Sequence, residues 1–231
     1  METYMENKQI DKKIRRFERK YIERKNNAYL FKNFLVTKRF YKKYDKRLVN
    51  SLYFDDLNFS SFKDNVDGNT RRFKARIRWY NESPDFVNLE IKNKNGFLGW
   101  KDTIRLKNIY NIEENIRNYP NCQLENNLKK IFKKNVFPVI KTKYLREYYE
   151  YGHGSIRATI DTQLEFFSIR TNFKINYDKE IMEFKYPVSH DQLFRDHIIP
   201  KNNFRFQKFS KYVVGVNLLS RNLLVWDLNK Y

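Results

Sequence analysis

The sequence contains very little cysteine, glycine and proline. One cysteine, Cys122, occurs among 231 residues, so no disulfide can form within the chain, and we expect a reducing compartment. The 6 glycines and 5 prolines are scattered, and no Gly-, Ser- or Pro-rich linker or internal repeat divides the chain. We therefore expect a single domain over residues 1–231.

Long apolar runs are also missing. No stretch approaches the roughly 20 residues that a membrane-spanning helix needs. The opening METYMENKQIDKK lacks the apolar core of a signal peptide. There is no Gly-x-x-x-x-Gly-Lys loop, and none of the three histidines pairs with the cysteine at zinc-site spacing. We expect a cytoplasmic protein that has no membrane segment of its own.

Acidic residues are too few to balance the basic ones. Lys and Arg number 47 against 27 Asp and Glu, and the net charge is +20 at pH 7. Self-repulsion of this size favours a polyanionic partner, such as nucleic acid, an anionic membrane surface or a phosphate-rich small molecule. Hydrophobic residues make up 41% of the chain, which is enough for a folded core.

The segment RRFKARIRWY shows how the basic residues are arranged. Successive side chains of a strand point to opposite faces, so the segment has a basic row and an apolar row. The two rows are Arg72, Lys74, Arg76 and Arg78 against Phe73, Ala75, Ile77 and Trp79. Similar alternation predicts eight strands, over residues 14–22, 47–54, 70–80, 85–94, 99–107, 137–151, 154–167 and 178–187.

Helical spacing of apolar residues predicts helices between and after these strands. They span residues 26–40, 56–66, 189–199 and 209–222, with two more in NIEENIRNY and LENNLKKIF. Two arrangements then remain open. Either the charged rows face water around a sandwich core, or the apolar rows face outward under the helices and the charged rows line a tunnel. In a tunnel, Arg and Lys would hold a chain of phosphates, and the carboxylates would hold a divalent metal.

Seven ordered motifs resemble a known family. RFERKYI, SLYFDD, KARIRWY, LEIKNK, SIRATIDTQL, IMEFKYP and KFSKYVVG are similar to the VTC domain, the polyphosphate polymerase domain of the CYTH or triphosphate tunnel metalloenzyme superfamily. Each motif is weak alone, but their order and spacing are specific, from about Arg16 to Asn222. The resemblance implies an α+β fold with a core over about residues 14–222. In it, an eight-stranded antiparallel β-barrel forms the tunnel, and helices pack outside.

The resemblance also implies which residues handle phosphate. The catalytic phosphate ligands would be Arg76, Arg78, Lys92, Arg157, Lys208 and Lys211. Further phosphate contacts would come from Lys20, Lys74 and Ser210, and from Lys101 or Arg105, between which the spacing in WKDTIRLK does not decide. Glu183, with Glu18 or Glu90, would hold Mn²⁺ or Mg²⁺. Tyr144 and Arg146 in KYLREYY either reach the tunnel or pack and pair with their neighbours.

The function that the resemblance implies is an ATP-dependent polyphosphate polymerase. It would transfer the γ-phosphate of ATP to a growing polyphosphate chain. The first strand reads Arg16-x-Glu18-x-Lys20, where tunnel phosphohydrolases have Glu-x-Glu-x-Lys. One carboxylate fewer favours phosphate transfer over two-metal hydrolysis.

Two other functions remain open. The first is a metal-dependent tunnel triphosphatase that hydrolyses inorganic or nucleoside triphosphate. The second is a non-catalytic polyanion-binding protein. The aromatic residues fall mostly on the apolar rows, which disfavours nucleic acid as the partner. The sequence leaves open the chain length of the product, the choice of metal, the oligomeric state and any membrane partner.

Overall fold

The fold is built on one large antiparallel sheet. The computed structural model describes residues 16–82, 87–96, 98–106, 112–117, 123–132, 135–169, 171, 173–200 and 204–221. Predicted features at residues 14 and 15 and at Cys122 lie outside these ranges. The strands are β1 (Arg16–Arg24), β2 (Tyr41–Asp55), β3 (Arg71–Tyr80), β4 (Val87–Asn95), β5 (Leu98–Leu106), β6 (Phe137–Tyr151), β7 (Ile156–Ser168), β8 (Lys174–Asn176) and β9 (Lys179–Pro187).

The described helices connect or follow these strands. They are α1 (Ala28–Thr37), α2 (Ser60–Asp67), α3 (Ile112–Arg117), α4 (Gln123–Phe132), α5 (Asp191–Leu193) and α6 (Lys211–Arg221). A 3₁₀ turn (Val188–His190) precedes α5, and a π-helical turn (Phe194–Ile198) follows it, so the predicted helix over 189–199 is not one regular helix. None of the described helices combines the length and apolar character that crossing a membrane would require.

The strands follow the order β1-β9-β7-β6-β2-β3-β4-β5, and β8 pairs with β7 beside this path. The antiparallel sheet is therefore confirmed, but the predicted closed barrel is not, because no ladder joins β1 to β5 in the described ranges. The sheet nevertheless curls strongly. Lys92 on β4 lies 2.8 Å from Glu18 on β1, although the two strands are far apart along the path. Side chains, rather than backbone hydrogen bonds, bridge this gap.

The apolar rows of the strands face outward and are covered by helices. Ile77 of β3 and Leu89 of β4 are fully buried in one cluster with Leu124 and Leu128 of α4. A second cluster joins β7 and β9 to α1 and the π-helical turn. Burial of this apolar surface stabilises the sheet from outside. Of the two arrangements open from the sequence, the structure therefore has the one with outward apolar rows.

A β-bulge divides β7 into two parts. Before it, the ladder pairs Asp161 with Arg146; beyond it, the ladder pairs Phe166 with Thr142, and the shift inserts one extra residue into β7. Gln163 in the bulge has a φ of 52°. An extra residue reverses which side of the sheet alternate side chains face. As a result, Asp161 and Phe166 face the same side of the sheet, despite their odd spacing in sequence.

The terminal helix α6 covers the apolar end of this inner face. A Cβ added at Gly215 would lie 2.5 Å from Phe166 Cδ1 and 2.6 Å from Ile140 Cδ1, so only glycine lets the helix approach this closely. Val216 and Leu219 of α6 are fully buried in the same cluster. The helix therefore lies inside the curl of the sheet, and its N-terminus points toward the charged part.

Asp55 at the end of β2 joins α2 and α6. Its Oδ1 accepts hydrogen bonds from the backbone N–H groups of Asp56 and Ser61, both at 2.9 Å. Its Oδ2 accepts one from the N–H of Phe62 at 2.9 Å and one from the Tyr212 hydroxyl at 2.5 Å. Burial raises the pKa of the Asp55 carboxyl, and these hydrogen bonds partly offset the rise.

Besides the helix predicted over 189–199, other elements differ from the sequence-based prediction. Helix α2 begins at Ser60 rather than at residue 56. Strand β2 begins at Tyr41 rather than at residue 47, because β6 continues to Tyr151 and its Glu150 pairs with Tyr41. Helix α1 ends at Thr37, and Arg39 adopts a φ of 59° in the turn into β2. The three-residue strand β8 was not predicted, since so short a segment has no readable alternation.

Candidate functional site

The curled sheet and the start of α6 enclose a charged cavity. The cavity has a volume of about 130 Å³. The residues that line it come from seven strands of the sheet, from the first residue of α6 and from the two residues before that helix. They are Glu18, Lys20, Tyr53, Lys74, Arg76, Arg78, Glu90, Lys92, Lys101, Tyr144, Arg146, Glu183, Lys185, Phe209, Ser210 and Lys211.

Positive charge dominates this lining. It contains nine Lys or Arg side chains and three carboxylates, all glutamates. Such a surface attracts a polyanion, and Arg and Lys donors match phosphate oxygens. Because successive side chains alternate, the charged row of each strand faces the cavity while its apolar row faces the helices.

Glu90 lies at the centre of the wall formed by β3, β4 and β5. Arg76 donates to Glu90 Oε2 from Nε at 2.7 Å and pairs with it through Nη2 at 2.6 Å. Lys101 Nζ lies 3.0 Å from Oε1, and Arg78 Nη1 lies 3.7 Å from Oε2. Burial opposes ionisation of Glu90, but the nearby cations outweigh it and hold its pKa below the usual range. Glu90 therefore fixes the positions of three cavity cations.

Asp161 performs a similar task on the opposite wall. Arg146 makes a bidentate pair with it, Nε to Oδ1 at 2.6 Å and Nη2 to Oδ2 at 2.7 Å. Lys211 at the start of α6 donates to the same Oδ2. Asp161 is 1% exposed, and despite this burial the two cations lower its pKa to about 2. This network joins α6 to β6 and β7 at the cavity.

Glu183 and Glu18 form a second group of acids, on the neighbouring strands β9 and β1. Glu183 lies 3.6 Å from Lys20, 3.6 Å from Lys185 and 4.0 Å from Arg146. Lys185 also lies 4.0 Å from Glu18. Although burial raises the pKa of Glu183, Lys185 and Lys20 attract its charged form and hold its pKa well below the usual value. Burial also raises the pKa of Glu18, but Lys185 and Lys92 outweigh this and lower it, so both glutamates are ionised at neutral pH.

These two glutamates suit a divalent metal that is carried partly by the substrate. Mg²⁺ is usually bound by one or two carboxylates together with phosphate oxygens and water. Glu183 and Glu18 can supply those carboxylates, because the nearest cations of Glu183 lie 3.6 Å away and Oε1 of Glu18 lies 4.0 Å from Lys185. Both oxygens of Glu90, in contrast, have a cation at 3.0 Å or less. Within the described ranges, no group of three or more His, Cys, Asp or Glu residues could hold a metal by itself.

Lys74 has a different environment from the other cavity cations. Its Nζ donates to Ser210 Oγ at 2.9 Å, just before α6. Burial, together with repulsion from Lys20 and Lys92, lowers the pKa of Lys74 to about 7. A phosphate chain in the cavity would favour the charged form of this lysine.

The structure brings together most of the residues that the sequence predicts for the site. Eleven of the fourteen line the cavity: Glu18, Lys20, Lys74, Arg76, Arg78, Glu90, Lys92, Lys101, Glu183, Ser210 and Lys211. Of the pair that the spacing left open, Lys101 lines the cavity and Arg105 does not. Arg105 is exposed. In the ladder between β4 and β5 it pairs with Asn88, two residues along β5 from Thr103, which pairs with Glu90.

Arg157 and Lys208 also lie outside the lining. Arg157 is exposed near the start of β7, on the face that carries Asp161, and is paired in the ladder with Lys185 and Glu150. Lys208 is exposed too. The pKa of Lys94 is lowered mainly by burial and by the charges of Arg72 and Lys92, and the charge of Lys208 contributes less. Both residues therefore border the site rather than form its wall.

Five lining residues were absent from the predicted set: Tyr53, Tyr144, Arg146, Lys185 and Phe209. For Tyr144 and Arg146 the open question is settled, because both line the cavity and Arg146 also pairs with Asp161. The charged row of IMEFKYP contains Lys185, so strict alternation from Glu183 could have found it. Nothing in the local pattern marks Phe209, which precedes α6.

Solved structures show the same fold. A candidate adenylate cyclase from Bacillus halodurans aligns with a TM-score of 0.54 and 13% identity, over 85% of this chain and 94% of that one. A candidate adenylate cyclase from Vibrio parahaemolyticus aligns with 0.51 and 11%, over 86% and 97%. The PH1819 protein from Pyrococcus horikoshii OT3 aligns with 0.50 and 13%, over 90% and 99%. The chain therefore shares the fold of these three proteins.

Family comparison gives a more specific result. The model of the VTC domain matches residues 15–220, which is nearly the whole chain. The chain belongs to the VTC domain family. No curated protein sequence matches it.

Proposed function

We propose that this protein is an ATP-dependent polyphosphate polymerase. The observation that supports the proposal is the composition of the cavity wall, in which nine cations surround three carboxylates. Each of these carboxylates contacts at least two of the cations. A wall of this kind favours binding and positioning of phosphate chains over the assembly of a two-metal hydrolytic centre.

The reaction needs no nucleophilic side chain. A terminal oxygen of the acceptor phosphate attacks the γ-phosphorus of ATP, the bond to the β,γ-bridging oxygen breaks, and ADP leaves with that oxygen. The cavity cations bind the phosphates and neutralise charge as it moves toward the leaving group. Arg76 and Arg78 on one wall and Arg146 and Lys211 on the other are held by Glu90 and Asp161 for this purpose.

Mn²⁺ or Mg²⁺ would be held by Glu183 and Glu18 together with phosphate oxygens. Bound there, the metal would supply further charge neutralisation at the transferring group. Lys92, Lys20 and Lys101 would complete the phosphate contacts around it. Arg157 and Lys208, at the borders of the site, would attract the chain on its way in or out.

The test is an incubation of the pure protein with ATP and Mn²⁺. We expect long-chain polyphosphate on a gel, with ADP released in step with the phosphate incorporated. Glu183→Ala and Arg76→Ala should lose the product. Arg71→Ala is the matched control, because Arg71 is exposed on the same strand as Arg76 but on the opposite face, and it should keep full activity.

Two results would contradict the proposal. Free phosphate without chains would identify the protein as a tunnel triphosphatase. Tight binding of polyphosphate without either product, and with affinity kept in Glu183→Ala, would identify a non-catalytic polyanion-binding protein.

A further inference from the structure

An exposed group of aromatic rings and one arginine lies next to the cavity. Tyr44 on β2 is 49% exposed, and its ring meets that of Tyr148 on β6 edge to face, with centroids 5.9 Å apart. The Arg47 guanidinium lies over both rings, 5.3 Å from the Tyr44 centroid and 5.7 Å from that of Tyr148. We call these three residues the Tyr–Arg cluster.

The ladder between β2 and β6 places this cluster beside the site. Arg47 is directly opposite Arg146, which lines the cavity. Tyr148 follows Arg146 by two residues and so points to the same face of the sheet, about 7 Å further along the strand. Helix α6 covers the other end of this face, around Ile140. The Tyr–Arg cluster therefore lies at the end of the cavity that α6 leaves uncovered.

The cavity itself offers little to a flat uncharged ring. Its aromatic lining, Tyr53, Tyr144 and Phe209, is 4%, 1% and 9% exposed, and the other lining side chains are charged apart from one serine. Tyr44, in contrast, keeps about half of its surface exposed to solvent. An exposed aromatic ring with a guanidinium over it is a surface on which a nucleobase can stack.

We propose that the Tyr–Arg cluster binds the base of a nucleoside triphosphate whose phosphates lie in the cavity. In this arrangement the α-phosphate lies near Arg146, the ribose spans the distance to Tyr148, and the base stacks on Tyr44. The inference rests on the proposed function in that it takes ATP as the phosphate donor. It adds that the protein distinguishes ATP from inorganic triphosphate by the base.

The experiment compares the binding of two ligands by isothermal titration calorimetry, using the full chain. The ligands are ATP and inorganic triphosphate, and the variants are Tyr44→Ala, Tyr44→Phe and Tyr29→Ala. Tyr29 on α1 is the matched control, because it is 56% exposed on the outer layer of the fold. Stacking predicts that Tyr44→Ala weakens ATP binding on the order of tenfold and leaves triphosphate binding unchanged. Tyr44→Phe and Tyr29→Ala should bind both ligands as the wild type does.

Every other outcome overturns the inference. An equal loss for both ligands would assign Tyr44 a structural or electrostatic role, and no loss for either would show that the base is not bound there. The polymerase assay remains a separate test. If the wild type makes no polyphosphate but Tyr44→Ala still weakens ATP alone, the proposed function fails and the base site stands. If chains form and Tyr44→Ala changes neither affinity, the base site fails and the proposed function stands.

Discussion

Two aspartates, Asp55 and Asp161, are equally buried but have opposite electrostatic environments. Asp55 is 0% exposed and Asp161 is 1% exposed. Asp161 contacts two cations, Arg146 and Lys211, and its pKa falls to about 2. Asp55 contacts backbone N–H groups and the Tyr212 hydroxyl, and burial raises its pKa. Burial alone therefore does not determine what a carboxylate does in this fold.

The two environments correspond to two roles, one at the cavity and one in the packing of the helices beside it. Asp161 holds two cations of the cavity wall, so it positions part of the binding surface from behind. Asp55 holds the beginning of α2 and, through Tyr212, the helix that carries Lys211. Because Tyr212 directly follows Lys211 in the chain, the two aspartates fix adjacent residues of the same helix from two different strands.

The largest expected effect comes from removing the arginine partner of Asp161. Arg146→Met should lower the free energy of unfolding by about 3–5 kcal/mol, because a buried carboxylate loses its bidentate partner. Urea unfolding measures the change. Arg71→Met is the control, since Arg71 is exposed, and it should change stability by about 0.5 kcal/mol or less. A small effect of Arg146→Met would mean that Lys211 alone satisfies Asp161.

The pH dependence of stability should have opposite signs at the two aspartates. The pKa of Asp161 is lowered from 3.8 to about 2, so its ionised form stabilises the fold by about 2 kcal/mol above pH 4. That contribution is lost as the pH falls from about 4 to about 2. The pKa of Asp55 is raised, so its contribution is present in acid and is lost as the pH rises through the raised value.

The measurement compares urea unfolding of the wild type with Asp161→Asn and with Asp55→Asn between pH 2 and pH 7. The advantage of the wild type over Asp161→Asn should shrink toward acid, and its advantage over Asp55→Asn should grow. If the stability difference from the wild type changed with pH in the same direction for both variants, the proposed opposite environments of Asp55 and Asp161 would be wrong.

Removing the hydroxyl of Tyr212 should affect stability but not binding. Tyr212→Phe takes one donor from the buried Asp55 carboxylate and should cost about 1–2 kcal/mol in unfolding free energy. Affinity for inorganic triphosphate should stay within a factor of about two, because the cavity cations keep their partners. Tyr29→Phe, at an exposed position, is the control for both measurements. A large loss of affinity would show that Asp55 also tunes the cavity.

The smallest expected effect concerns Lys74, whose pKa is lowered to about 7. Bound phosphate favours the charged lysine, so triphosphate affinity should fall several-fold as the pH rises from 6 to 8. Lys74→Arg stays charged throughout this range and should show a shallower slope in calorimetric titrations. The exposed Lys63→Arg is the control and should keep the wild-type slope. If affinity depended on pH equally in the wild type and in Lys74→Arg, the pH effect would come from ionisation of the triphosphate rather than of Lys74.

Side-chain alternation predicted much of the fold, because it is local to each strand. It identified the charged rows of the strands, whereas helical spacing predicted the helices and the resemblance to the VTC domain implied eleven residues of the lining. It could not choose between Lys101 and Arg105, since both lie on one row and only the curvature of the sheet decides which reaches Glu90. Arg146 and Asp161 form their pair through the register of β6 and β7, which no single strand reveals.

The position of the bulge at Gln163 determines where along β7 the inner face changes from binding surface to core. Upstream of it, the inner face is ionic; downstream, the same face is apolar and accommodates α6. Deleting one residue at the bulge would leave the sequence of the downstream segment unchanged. It would nevertheless turn the inward-facing side chains of that segment outward and the outward-facing ones inward. Insertions and deletions of single residues, more than substitutions, are thus the changes by which relatives of this fold could lengthen or shorten their binding cavity.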